Sequence, residues 1–200
     1  MISYFASFSL FAFIAAITPG PTNIISLSTG MRADVRSALP FMFGSASGAG
    51  MLLFLTCLGM TEIFKHYPSL RIFITLAGSI WLSWMAWKLF NLNAAEATSL
   101  EKLPTWQDGA ILQFINPKTW MTTLSMSSLF YSTHLDQVTN AVSLGLIFFA
   151  ITCPCMLTWA AMGKYLQQHI KSTRHQRLIY KTLSLLLLMT VWGLVYDVLS

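Results

Sequence analysis

From Met1 to Met31 the chain carries no Asp, Glu, Lys, Arg or His, and Pro19-Gly20-Pro21 interrupts this apolar run. About 20 apolar residues are enough for a helix to cross the hydrocarbon core of a bilayer. Two prolines and a glycine inside such a helix free backbone carbonyls at membrane depth. That is tolerated where the backbone is buried in protein or lines a polar cavity. The opening segment therefore predicts a chain that lives in a bilayer and handles something polar within it. A secretory signal peptide would need a basic stretch before a short apolar one. Here nothing basic precedes the run, and it is too long, so a permanent span is expected.

The composition agrees. Hydrophobic residues make up 55% of the 200 residues and charged ones 10%, against roughly 25% charged in soluble domains. A length of 200 residues leaves room for one membrane domain, taken as 1–200, and no sizeable soluble one. The charges punctuate the sequence so that spans are predicted at about 4–27, 39–61, 70–89, 109–131, 138–162 and 179–198. Lys88 and Lys181, near span ends, have stems long enough to reach the interface.

The loops between these spans differ in charge. The first, third and fifth hold nine basic residues, among them Arg32, Arg36, Lys164, Arg174 and Arg177, against Lys65 and Arg71 near the second. Basic loops stay cytoplasmic, so both termini are expected outside the cytoplasm. The same loops explain the net charge of +5, which favours anionic lipid over nucleic acid as its partner. Cys57, Cys153 and Cys155 lie in apolar stretches and read as small hydrophobes. The histidines show no metal-ligand spacing, and no cofactor is expected.

Six spans divide into three and three, and an odd number per half makes any repeat inverted. A shift of about 97 residues lays Pro19-Gly20-Pro21 on Asn116-Pro117-Lys118, Thr22 on Thr119, and Gly44 and Gly48 on Ala141 and Gly145. The fold class expected is thus an all-α integral membrane protein of about six transmembrane helices in a 3+3 inverted repeat. Its halves run over about 1–100 and 101–200. Paired interruptions in corresponding halves are the best sequence pointer to a transporter's binding site.

Lys118 falls within predicted span four, away from its ends. A charge at that depth usually faces a cavity or a partner. It either contacts a carboxylate or carries protons, or it snorkels to the interface. Pro19, Gly20, Pro21, Thr22 and Asn23 read as an unwound, substrate-contacting helix or as a structural kink. Gln113 and Asn116 project from the face that carries Lys118 and read as a shared polar patch or as interhelical hydrogen bonds. Gly44, Gly48 and Gly50, with Ala141 and Gly145, fit close helix packing, and such small-residue faces would permit a homodimer. Arg32, Asp34 and Arg36 in the first loop form either a gate or a solvated charge cluster.

These segments in this order resemble the LysE/RhtB amino-acid exporter superfamily. The resemblance rests on Ile17-Thr18-Pro19-Gly20-Pro21-Thr22-Asn23, Gly44-xxx-Gly48, the tract from Ala77 to Lys88, and Gln113-Phe114-Ile115-Asn116-Pro117-Lys118. The third and fourth are most similar to the cysteine/O-acetylserine exporter branch. The resemblance implies a bacterial inner-membrane exporter that releases small amino acids or their derivatives in exchange for protons. It carries the motif positions over as Pro19, Gly20, Pro21, Asn116, Pro117 and Lys118. One departure is the first loop, often glycine-rich in the family, which here reads Gly30-Met31-Arg32-Ala33-Asp34-Val35-Arg36-Ser37.

Broken helices suit an amino acid, since their N-termini favour a carboxylate and their freed carbonyls an ammonium. The alternative reading is a membrane channel for small polar solutes, because inverted repeats with Asn-Pro motifs also build channels. Such channels carry two Asn-Pro-Ala loops, and this chain has Pro-Gly-Pro and Asn-Pro-Lys instead. An intramembrane enzyme is disfavoured, as the sequence holds no HExxH and no nucleophile elbow.

Overall fold

The computed structural model describes residues 2–60, 66–91, 103–130, 135–170 and 172–199. Lys65, Lys102 and Lys171, which count among the loop charges above, and His134, one of the histidines, lie outside the described residues. Within them the structure is helical: α1 (Ile2–Ile17), α2 (Pro21–Arg32), α3 (Val35–Leu55) running into a wider turn at Thr56–Met60, α4 (Pro68–Phe90), α5 (Trp106–Ile115), α6 (Pro117–Leu129), α7 (Gln137–His169) and α8 (Thr173–Leu199).

Two helices are long and apolar enough to cross a membrane: α3 with its continuation, Val35–Gly59, and α7, Gln137–His169. The pair α1 and α2, bent by 57° at their break, makes a third if it is counted as one span. Among the described residues, helices occupy most of each of the six stretches expected from the sequence, yet the count by length and composition is two to three. The stretch expected at 109–131 shows one reason. It divides at Asn116 into helices of 10 and 13 residues, each short of the roughly 20 needed to cross.

Local chemistry sets each break. Pro19 disfavours a helical conformation at Thr18, and Pro21 starts α2 at a position where a missing N–H costs nothing. Pro117 does the same for α6. Asn116, extended at φ −84° and ψ 110°, ends α5 and caps α6 by accepting from the Lys118 N–H at 3.1 Å. A tryptophan then takes up a carbonyl beside each break. Trp159 Nε1 donates to the Ile17 carbonyl at 3.1 Å, and Trp120 Nε1 to the Phe114 carbonyl at 2.7 Å. Gly59 ends the wider turn at φ 120°, a left-handed conformation that favours glycine.

Glycines let the helix backbones touch. A Cβ on Gly50 would meet the Gly145 carbonyl oxygen at 2.8 Å, and one on Gly145 would meet that of Gly50 at 2.9 Å. Their next neighbours are likewise exchanged, Phe149 for Gly50 and Phe54 for Gly145. The 97-residue shift pairs Gly145 with Gly48 as corresponding positions; in space Gly145 meets Gly50. Gly48 and Gly44 pack on α5 instead, against Ala110 and Trp106. Ala141 is buried in α7. Gly30 of α2 lies against the Ala160 carbonyl of α7, and Gly163 of α7 against the Leu27 carbonyl of α2. Lipid tails are as apolar as leucine, so close contact rather than hydrophobic exclusion holds such helices together.

Outside these crossings α4 packs on α8. Ser184 donates to the Ala86 carbonyl at 2.6 Å, beside buried Leu82, Leu187 and Val191. Large apolar side chains cover much of the outer surface, including Leu10, Leu146, Leu185 and Met189. Apolar exposure on this scale marks a membrane-facing surface. Lys88 sits over the Trp84 ring at 4.0 Å, which keeps its charge at the end of α4.

Two caps have measurable consequences. Thr105 and Asp108 form a capping box at α5, with the Thr105 N–H donating to Asp108 at 2.8 Å and the Asp108 N–H to Thr105 Oγ1 at 3.3 Å. Thr105→Ala is expected to lower stability by about 1 kcal/mol, read as a fall in melting temperature of the detergent-solubilised protein. At α7, Asp136 accepts from the Thr139 N–H at 3.0 Å. Hydrogen bonds from Thr139 hold the exposed Asp136 carboxyl below the usual carboxylate range. Its capping contribution is therefore present above that range and is lost as pH falls through the lowered value.

Candidate functional site

The two helix breaks meet. Lys118, second residue of α6, extends its stem across Gly20, where a Cβ would lie 2.7 Å from Lys118 Cδ. Its ammonium donates to the Thr18 carbonyl at 2.5 Å and lies 3.4 Å from the Pro19 carbonyl. These carbonyls are exposed because the prolines end α1 there. Asn23 uses the same break, donating to the Ala16 carbonyl at 2.9 Å and the Thr18 carbonyl at 2.8 Å. A charge that fails to leave the apolar phase is thus matched to backbone groups that lost their helical partners.

Gln113 ties the halves of this site together. Its Nε2 donates to Thr22 Oγ1 and to the Gly109 carbonyl, each at 3.2 Å, while its Oε1 accepts from Thr119 Oγ1 at 2.9 Å. Asn116 Nδ2 reaches the same Thr22 oxygen at 3.5 Å. Gln113, Asn116, Asn23 and Thr119 are buried, and the three amides and the Thr119 hydroxyl are committed to these bonds. Gln113→Leu would leave the Thr119 and Thr22 hydroxyls short of partners. We expect it to destabilise the protein by about 1–3 kcal/mol, seen in the same melting assay, with Gln113→Glu milder because it keeps the acceptor for Thr119.

A cavity opens beside this cluster. Gly20, Pro21, Thr22, Asn23, Gln113, Asn116, Lys118 and Thr119 line one side, and Ala49, Phe148, Thr152 and Met156 are among those lining the other. Lys118 is the charged side chain among the described residues lining it. The structure thus brings together Gly20 to Asn23 with Gln113, Asn116 and Lys118, and places Pro19 and Pro117 at the two breaks. It does not bring the first-loop charges to them. Asp34 is exposed and caps α3, accepting from the Val35 N–H at 2.8 Å. Arg36 is exposed. Arg32 lines a different cavity of about 550 Å³, shared with Trp81, Trp84, Lys88 and Asp108.

Sequence reasoning missed the α7 wall. Phe148, Thr152 and Met156 recur every four residues, the spacing of one helical face, but in a helix apolar all round that spacing singles out nothing. Among the described residues, no group of three or more His, Cys, Asp or Glu is placed to hold a metal ion.

The family model described as LysE type translocator matches residues 13–197. The chain belongs to the LysE translocator family. Among similar proteins, a cysteine/O-acetylserine efflux protein from Klebsiella pneumoniae is 29% identical over 171 residues, 84% of each chain. Proteins of the same description from Salmonella typhimurium and Escherichia coli O1:K1 are 23% and 24% identical over 164 residues, covering 82% of this chain and 84% of theirs. No solved structure matches significantly.

Proposed function

We propose that this LysE-family chain is a secondary exporter of small amino acids or their close derivatives, with cysteine and O-acetylserine the first cargo to try. The observation that carries the proposal is the Lys118 ammonium resting on carbonyls freed by the break of α1. A zwitterion matches both partners of that contact. Its carboxylate takes the ammonium of Lys118, and its own ammonium takes the Thr18 and Pro19 carbonyls so released. The uncapped N-terminus of α2 adds N–H groups and partial positive charge on the carboxylate side. Hydrocarbon offers none of these, so the exchange occurs where the two breaks meet.

In this reading the chain is a single transport domain in a bacterial inner membrane, with six spans in two inverted halves and both termini outside the cytoplasm. The prolines that open α2 and α6 and the exchanged neighbours of Gly50 and Gly145 support the inverted halves. The cavity encloses about 50 Å³, room for a few waters, so cargo enters when α2 and α6 swing about their breaks and opens the site to one side at a time. Lys118, facing the cavity, exchanges a proton for cargo.

The test uses cells that express the chain and are loaded with O-acetylserine or cysteine. Faster release than from cells without it, stopped by a protonophore, is the expected result. Release equal to that of the control would overturn the reading, and release indifferent to the protonophore would remove the proton coupling.

A further inference from the structure

Helix α7 turns Phe148, Thr152 and Met156 toward the cavity. Thr152 is 9% exposed, and among the described residues its hydroxyl has no hydrogen-bond partner. A threonine or serine inside a helix has a ready acceptor in the carbonyl four residues back. Ser143 and Thr158 of the same helix use it, at 2.7 and 2.9 Å, as do Thr29, Thr182 and Thr190 elsewhere. Thr152 has the Phe148 carbonyl at the same spacing and does not take it. Its hydroxyl is therefore buried, unpartnered and on the cavity wall, a combination that is costly unless something polar arrives there.

The cavity is polar on one side and nearly apolar on the other. The groups that suit an amino acid's two charges, Lys118 and the Thr18 and Pro19 carbonyls, belong to the helix breaks. Cargo held there by its charged end points its side chain at α7, where Phe148 and Met156 flank Thr152. We propose that Thr152 determines specificity, its hydroxyl donating to an oxygen in the cargo side chain, so that the site prefers small amino acids with an acceptor there to apolar ones of similar size. This rests on the exporter reading above.

The test is made in proteoliposomes holding the purified protein, with whichever labelled amino acid the wild type moves best. Unlabelled O-acetylserine and norleucine compete, and the ratio of their half-inhibiting concentrations is read. Thr152→Val keeps the shape and loses the hydroxyl; Thr152→Ser keeps the hydroxyl. The valine variant should lose about tenfold in its preference for O-acetylserine, the effect of one hydrogen bond. Norleucine should compete within about twofold of its wild-type strength. The serine variant should retain the preference.

Melting temperature separates this from a structural role. Valine removes an unpartnered buried hydroxyl, so the variant should melt no lower than wild type. An unchanged ratio in the folded valine variant overturns the proposal, as does an equal loss for both competitors, which would put Thr152 at the common end of the cargo. A wild type that moves no amino acid overturns the exporter reading and this proposal with it.

Discussion

Exchanging Lys118 for alanine is expected to cut export about a hundredfold or more while leaving the protein inserted and folded. The lysine makes charged hydrogen bonds to the Thr18 and Pro19 carbonyls. The proposed contact with the cargo's carboxylate is of the same charged kind and contributes about 1.5–3 kcal/mol. Folding is spared because Thr18 and Pro19 are exposed, and because Asn23 still donates to Thr18. Lys118→Arg is the sharper variant. A longer, planar guanidinium does not reproduce the compact ammonium held on the Thr18 and Pro19 carbonyls. We expect it to fail nearly as badly as alanine. Efflux from loaded cells, with membrane content measured beside it, checks both. Near-normal efflux by a well-inserted alanine variant would make Lys118 an interface charge.

The second large effect concerns the crossing of α2 and α7. A side chain at Gly163 would run into the Leu27 carbonyl, and one at Gly30 into the Ala160 carbonyl. Both obstacles are backbone, so a rotamer change relieves neither and the helices must part. Gly163→Leu is expected to cost about 3 kcal/mol or more, at the upper end for overpacked sites, with Gly163→Ala milder. Because α2 carries Pro21 to Asn23, export should fall along with stability. Gly193 is the control, since a Cβ there meets nothing within 4 Å. Gly193→Ala should be neutral or slightly stabilising. Melting temperature and folded yield in detergent measure all three, and a Gly163→Leu variant as stable as wild type would show that the crossing is looser than described.

The legible parts of the sequence were those fixed by local chemistry. Proline lacks an N–H wherever it sits, so the breaks at Pro19-Gly20-Pro21 and Asn116-Pro117 could be read directly. Lys118 stood out because an apolar span has few reasons to hold a charge. What depends on neighbours far along the chain was not legible. The glycines announced close packing, but not that Gly145 would meet Gly50 while Gly48 met Ala110, since helix rotation decides that. Asp34 read as a solvated charge rather than a gate, but not as the cap of α3, because its bond to the Val35 N–H needs the loop conformation. Thr152 gave no signal, as an unpaired hydroxyl and a back-bonded one are the same letter.

The most direct test of the exporter account is a flux measurement on the purified chain in proteoliposomes with an imposed pH gradient. Labelled O-acetylserine, cysteine, threonine, leucine and lysine are followed one at a time, with Lys118→Ala beside wild type. The account predicts saturable, gradient-dependent flux of one or two of the small substrates, lost in the variant. Linear, unsaturable flux that the variant retains would contradict it and favour a channel.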